Sequence, residues 1–256
     1  MSKPFRDSRR PQPRLRPLKA LAHFRKLVAD KEDTEQVFHI SECLPSAGFR
    51  RVQQDFFASA KGQALMATEP FLPDLLDDHD TLLAMPEGSV AHAYVAFMRK
   101  EGLSAAGLVA ESEKAGRPRF DDQVQWFSDR LRDTHDLVHV LTGYGRDALG
   151  EQCALGFSYG QYRSWTDYFL SWAGSFELWR RRLTRGPVFA AVAQSQRTGK
   201  GAGRIFAQDI RALLAEPLDA ARARLGIGTP GKYLAAHASY RARGIDPYNF
   251  LAAQPA

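Results

Sequence analysis

Apolar residues recur at helical spacing along almost the whole of this 256-residue sequence, and nowhere do they alternate with polar residues between Asn-Gly or Asp-Gly turns. A side chain advances about 100° per residue on an α-helix and about 180° on a strand, so the first pattern builds helices and the one a sheet needs is missing. The expected fold is all-α, a single-domain bundle of about eight to ten helices. Two compact domains would need a boundary, and none appears after the N-terminal segment. Residues 1–17 are therefore set apart as a basic, Pro-rich, disordered tail, and 18–256 as one all-helical domain.

Punctuation by Pro, Gly and Ser gives a coarse map. Helices are expected from about Leu18 to Ala29, from Asp33 to Met66 with a break at Pro45, and from Glu69 to Leu76. A turn at Pro86 to Gly88 leads into a helix capped by Ser89. Gly102 to Pro118 reads as the least structured interior stretch. A long helix should run from near Phe120 to about Tyr144, followed by an aromatic segment from Glu151 to Leu183. Arg197 to Arg204, RTGKGAGR, reads as a loop, and IFAQDIRALL after it as an amphipathic helix. Pro217 and Gly226 end the last regular pieces.

The net charge of +6 belongs to one end of the chain. Residues 1 to 26 hold nine Lys and Arg against Asp7 alone, a balance of +8 that leaves −2 for the remainder. Pro4, Pro11, Pro13 and Pro17 keep this segment out of helix before about Leu18. Three readings are open: a solvated leader, a basic arm attracted to anionic lipid headgroups, or an Arg-rich mitochondrial transit peptide. Nucleic-acid binding is not expected, since the body is near neutral and carries no recognition motif. No stretch approaches the roughly 20 apolar residues of a membrane span, and Cys43 and Cys153 are too few for a disulfide framework, which points to an intracellular chain.

The stretch HDLVHVLTGYGRDALGE, His135 to Glu151, concentrates the chemistry. His135 and His139 are one helical turn apart and can reach one metal ion together. On a helical wheel, Val124, Phe127, Leu131, Val138 and Leu141 form the apolar face, both histidines fall at its edge, and Asp136 falls toward solvent. Gly143, Gly145 and Gly150 allow the chain to reverse and return Glu151 to the same ion. Two imidazoles with one or two carboxylates suit Zn²⁺ and equally the two-His, one-carboxylate pattern of non-haem Fe(II). Asp136 or Glu151 could instead orient an imidazole or act as general base. HDxxH resembles the HExxH of zinc proteases with a shorter acid, and a phosphohydrolase of the His-Asp type would need further ligands, for which His79-Asp80 is the upstream candidate.

Trp165, Phe169, Trp172, Phe176 and Trp179 are spaced by four, three, four and three, a single stripe ending at Arg180, Arg181 and Arg182. Such a stripe most often packs into core. The functional alternative is a wall of a lipid cavity or an interfacial anchor. Gly199 to Gly203, GKGAG, lacks P-loop spacing and is expected to be a plain loop.

HDxxH followed after eleven residues by Glu resembles the signature of the coenzyme Q biosynthesis protein 4 family. KGQALMATEP at Lys61 to Pro70, MPEGSVAHAYVAFM at Met85 to Met98 and LLAEPLDAARARLGI at Leu213 to Ile227 are similar to the same family in the same order. The resemblance implies an all-helical protein of ubiquinone biosynthesis with a hydrophobic cavity for a prenylated aromatic or quinone lipid. It implies His135, Asp136, His139 and Glu151 as ligands of a divalent metal, usually zinc, with Asp136 and Glu151 handling protons. The implied role is either oxidative decarboxylation of a polyprenyl-hydroxybenzoate or a non-catalytic scaffold. The implied partners are a membrane surface, other ubiquinone biosynthesis enzymes and a second copy of the chain. The implied place is the matrix side of the mitochondrial inner membrane in a eukaryote, or the cytoplasmic face of the inner membrane in a bacterium.

Overall fold

The computed structural model describes residues 3–30, 33, 35–180 and 186–248. Helices follow one another with short turns: α1 Pro17–Ala29, α2 Glu35–Cys43, α3 Ala47–Ala58, α4 Ala60–Thr68, α5 Leu72–Asp77 and α6 His79–Leu83. They continue as α7 Val90–Glu101, α8 Ala105–Lys114, α9 Gln123–Asp133, α10 His135–Thr142, α11 Ala148–Tyr162 and α12 Trp165–Arg180. The series closes with α13 Val188–Gly201, α14 Ile210–Ala215, α15 Leu218–Leu225 and α16 Gly231–Arg241. Among the described residues no strand occurs, only an isolated bridge between Ser89 and Pro217. The all-α expectation holds.

The helices are shorter and more numerous than the sequence reading expects because small polar caps end them often. Ser46, Ser59, Ser89, Ser104, Asp122, Asp147 and Asp209 each accept a backbone N–H at a helix start, satisfying donors that have no partner within the helix. Ser59 divides the expected Asp33 to Met66 stretch a second time. Ser104 starts α8 inside the segment expected to be irregular, and Asp77 accepts the Ala105 and Ala106 N–H groups beside it. Asp209 separates a 3₁₀ turn, Ile205–Ala207, from α14, so IFAQDIRALL is two pieces. Pro217 and Gly226 bracket α15 rather than ending the fold, and α16 follows.

Residues 3–16 carry no helix, as their prolines dictate, yet they are not a free tail. Pro4 and Phe5 accept the Gln123 and Val124 N–H groups at 2.9 and 3.2 Å, supplying acceptors at the start of α9. Arg10 clamps the buried Asp122 carboxylate through Nε and Nη2, at 2.5 and 2.8 Å, and lies over Phe120. The basic segment is thus partly used up in holding α9.

One main core gathers α5 to α7, α10, α11 and α13 to α16, with Tyr94, Met98, Leu137, Leu141, Phe157 and Ile210 fully buried. Two satellites surround Phe56, Phe127 and Phe206 on one side and Ile40 and Leu170 on the other. The tightest seam joins α11 and α13. A Cβ at Gly160 would sit 2.5 Å from the Gln196 carbonyl oxygen, and one at Gly199 would strike the Phe157 carbonyl. Arg197 to Gly201 therefore lies in helix, not in the expected loop, because its glycine is needed for contact.

Gly199→Ala should destabilise by about 1–3 kcal/mol, since the added methyl meets backbone that cannot move. Gly201→Ala, with nothing within 4 Å of the new methyl, should be neutral or slightly stabilising. Urea denaturation of both variants checks the pair.

Candidate metal centre

The centre is built on α10 and the start of α11. The expected long helix through the motif is broken at Thr134 (φ −93°, ψ 4°), whose hydroxyl donates back to the Arg130 carbonyl at 2.8 Å. Such back-bonding bends helices. α9 then feeds Phe127 to one satellite core while α10 enters the main core, and a single wheel cannot describe both. The consequence corrects the sequence reading: Asp136 is buried, at 8% exposure, instead of facing solvent. All of α10 after His135 is buried.

His139 is buried, stacked on Phe97 of α7 at 5.6 Å between ring centroids. Its Nδ1 lies 3.1 Å from the Tyr144 carbonyl oxygen. A carbonyl only accepts, so Nδ1 donates and Nε2 is left with its lone pair, the arrangement that metal-bound imidazoles use. His135 Nε2 stands 3.3 Å from His139 Nε2. Two nitrogens on one tetrahedral Zn²⁺, each at about 2.0–2.1 Å, are about 3.4 Å apart. The Asp136 carboxylate accepts no hydrogen bond among the described residues, and its ligand atom lies within 4.8 Å of those of both histidines. A buried carboxylate beside two imidazole nitrogens 3.3 Å apart is a donor set that a divalent ion would satisfy.

Glu151, in the first turn of α11, brings Oε2 to 3.7 Å from His135 Nε2 and 3.6 Å from His139 Nε2. These separations are long for hydrogen bonds but suit groups arranged around a shared centre. The motif acid thus meets both histidines but lies outside the tighter His135, Asp136, His139 group. Burial alone would raise the Glu151 carboxyl; His139 and His135 outweigh it and hold the group well below its usual range. For His135 burial pulls down, but Glu151, Asp136 and Asp167 together raise it. His135 and Glu151 side chains are each 30% exposed, so the centre opens to solvent on their side.

Several participants escaped the sequence reading. Asp167 on α12 feels the charge of His135, and burial pushes its carboxyl up to about 7. Tyr94 on α7 has a buried hydroxyl without a hydrogen-bond partner, raised first by burial and then by Asp136. Arg146 reaches Glu151 Oε1 at 3.4 Å. Asp147, the cap of α11, is fully buried; it accepts from Leu149 and Gly150 N–H and from the Tyr233 hydroxyl at 2.5 Å, and lies 3.0 Å from His237 Nε2. The one available signal was its N-cap position ahead of Glu151. His79 and Asp80 lie on α6 and are not in the group.

The aromatic stripe of α12 is split: Trp172 packs against the main core and Phe169 against the Ile40 satellite, while the other three rings face outward as a ledge. Trp165, Phe176 and Trp179 are 49%, 52% and 52% exposed, while Phe169 and Trp172 are half-buried. The helix also packs through Leu170, Ser171, Ser175 and Leu178. Arg181 and Arg182 lie outside the described residues. No described helix is long and apolar enough to cross a membrane.

Comparison with known proteins places this geometry. The description "Coenzyme Q (ubiquinone) biosynthesis protein Coq4" matches residues 18–230. Ubiquinone biosynthesis protein COQ4 homolog 1, mitochondrial, of Culex quinquefasciatus is 27% identical over 137 residues, 48% of this chain and 49% of that protein. The same insect's COQ4 homolog 2, mitochondrial, is 30% identical over 100 residues, 39% of this chain and 43% of that protein. The matched stretch thus spans about half the length of these curated relatives. A crystal structure of a Nostoc punctiforme PCC 73102 protein assigned to ubiquinone biosynthesis superposes with a TM-score of 0.62 at 20% identity, covering 84% of this chain and all of that one, and so shares its fold. With the match running over residues 18–230, across the helices that carry His135, Asp136, His139 and Glu151, the chain belongs to the Coq4 family of ubiquinone biosynthesis proteins.

Proposed function

We propose that this chain binds a divalent metal through His135, Asp136 and His139, with Glu151 closing the site, and assists oxidative decarboxylation of a polyprenyl-hydroxybenzoate in ubiquinone biosynthesis. The observation that carries the reading is the pair of imidazole Nε2 atoms 3.3 Å apart beside a buried carboxylate without a hydrogen bond. Zinc fits this donor set, and iron is the alternative that the same ligands accept. When bound, the ion would supply Lewis acidity toward a carboxylate or phenolic oxygen. The overall change exchanges a ring carboxyl for a hydroxyl with release of carbon dioxide; with dioxygen as external oxidant, one oxygen atom enters the ring and the other leaves as water, which takes two electrons and two protons from an external reductant.

The residues divide the remaining work. His139 is held by Tyr144 and Phe97 and fixes the site's inner wall. Arg146, 39% exposed beside Glu151, is the cation placed to pair with the substrate's carboxylate at the opening. Glu151 is ionised at neutral pH and accepts a proton at Oε2. Asp167, half-protonated near neutrality, exchanges one at its carboxyl close to His135. The prenyl chain is taken to leave the site along apolar surface.

A second reading is favoured by the position of the donors on two helices. An ion joining α10 to α11 would pin the pair, and the protein would serve as a lipid-binding scaffold with a structural metal.

Metal analysis of purified variants, joined to complementation of a quinone-deficient strain, separates the readings. His139→Ala should lose bound metal. Asp136→Asn and Glu151→Gln should keep the fold and, on the catalytic reading, lose at least about 100-fold in pathway flux, the scale of a missing acid–base group. Retained flux in a folded, metal-free His139→Ala protein would sink the catalytic version, and retained flux in Asp136→Asn would favour the scaffold.

A pH test follows from Asp167. Its folded carboxyl titrates near 7 against an ordinary 3.8, so the fold loses stability as pH rises through that interval. Asp167→Asn should therefore gain most stability relative to the parent at about pH 8, clearly less at about pH 5, and little at about pH 3, below both values. Thermal unfolding at the three values measures the difference.

A further inference from the structure

α16 begins at Gly231, just beyond the residues 18–230 that match the family description, and it packs on the turn between the two helices of the candidate centre. Tyr233 and His237 lie four apart on α16, both buried, and share one face, with ring centroids 4.2 Å apart. That face meets residues 144–147, the link from α10 to α11.

Tyr233 touches this link three times. Its ring meets that of Tyr144 edge-on at 5.4 Å, its hydroxyl accepts the Gly145 N–H at 3.0 Å, and the same hydroxyl donates to Asp147 Oδ2 at 2.5 Å. His237 Nε2 lies 3.0 Å from Asp147 Oδ1, and since a carboxylate only accepts, the imidazole donates. A Cβ on Gly145 would stand 3.0 Å from the Tyr233 hydroxyl and 2.5 Å from that of Tyr248, so the glycine leaves room for both.

The two ends of the link support the candidate ligands. The Tyr144 carbonyl accepts the His139 Nδ1–H and so sets which nitrogen that ring presents, while the Asp147 cap fixes the first turn of α11, where Glu151 sits. Asp147 has no solvent exposure, and loss of either side-chain donor leaves part of its charge unpaired, which drives the cap to shift.

We infer that Tyr233 and His237 are positioning residues of the candidate centre, holding His139 through Tyr144 and Glu151 through Asp147, so that α16 tunes metal affinity without itself supplying a ligand. The inference rests on the metal-site reading given above.

Cobalt(II) in place of zinc gives a visible absorption that reports ligand geometry, so the full chain and its variants are titrated with cobalt(II) under conditions where circular dichroism shows each to be folded. Tyr233→Phe and His237→Leu should each weaken cobalt binding about tenfold, the scale for residues that orient metal ligands from outside the coordination sphere, and should alter the spectrum at saturation. His237→Gln keeps an N–H for Asp147 and should restore both. In a Glu151→Gln background the penalty of His237→Leu should largely vanish, because the ligand it positions is gone. Ala236→Gly loosens α16 at a buried position that offers no donor to Asp147; it should lower thermal stability and leave cobalt affinity at the parent's value. Parental affinity and spectrum in folded Tyr233→Phe and His237→Leu overturn the inference, as does an equal loss of affinity in Ala236→Gly or an undiminished penalty in the Glu151→Gln background. A parent protein that binds no cobalt overturns the metal-site reading itself, and the inference with it.

Discussion

The placement of α11 is the constraint on which the candidate centre depends. Its first turn is anchored by Asp147, a carboxylate with no solvent exposure that would cost several kcal/mol if left unpaired. Two backbone N–H groups, the Tyr233 hydroxyl and His237 satisfy it, so the cap of α11 is tied to α16 across the core. Tyr233 also accepts the Gly145 N–H at 3.0 Å, which fixes the turn entering the helix. Farther along, Gly156, Gly160 and Gly199 let α11 and α13 meet at backbone distance. A helix held at its cap and along its side has little freedom to slide or rotate.

That rigidity bears directly on chemistry. Glu151 donates its N–H to the Asp147 carbonyl at 3.0 Å, so the acid sits one turn from the anchor. On the facing side α10 is buried from Asp136 onward and ends at Gly143 in left-handed backbone (φ 75°). Arg222 Nε and Nη2 donate to the last carbonyls of α10, those of Leu141 and Val140, at 3.0 and 3.1 Å. Two independently fixed helices thus present nitrogen and oxygen donors across a short gap. Preorganisation of this kind is what a metal site requires, because ligands on mobile loops would have to be ordered as the ion binds.

What the sequence made legible follows from range. The four-residue interval between His135 and His139 is a local property of any helix, and the eleven-residue interval to Glu151 came with the family signature. Ser89 as a cap was equally local. The burial of Asp136 was not legible, because the wheel assumed one helix across Thr134 and the break sends α9 and α10 into different cores. Glycines were read as interruptions, correctly at Gly143 and wrongly at Gly199 and Gly201, since sequence cannot tell a glycine that bends backbone from one that admits a neighbouring helix. The stripe of α12 was assigned to core on its periodicity alone, which holds for Phe169 and Trp172 but not for Trp165, Phe176 and Trp179. The buried face is the one that carries Leu170, Ser171, Ser175 and Leu178, which the aromatic spacing does not reveal.

The same helices then connect two surfaces of different character. Twelve residues separate Glu151 from Arg163, about 18 Å along α11 at 1.5 Å per residue. α12 carries Asp167 beside the metal centre and Trp179 on the exposed aromatic ledge. The two surfaces differ in chemistry, one presenting imidazoles and carboxylates and the other exposed aromatic rings. The anchored α11 fixes their separation, because it packs against α10, α12 and α13, so displacement of its cap would disturb the candidate metal centre and the aromatic ledge together.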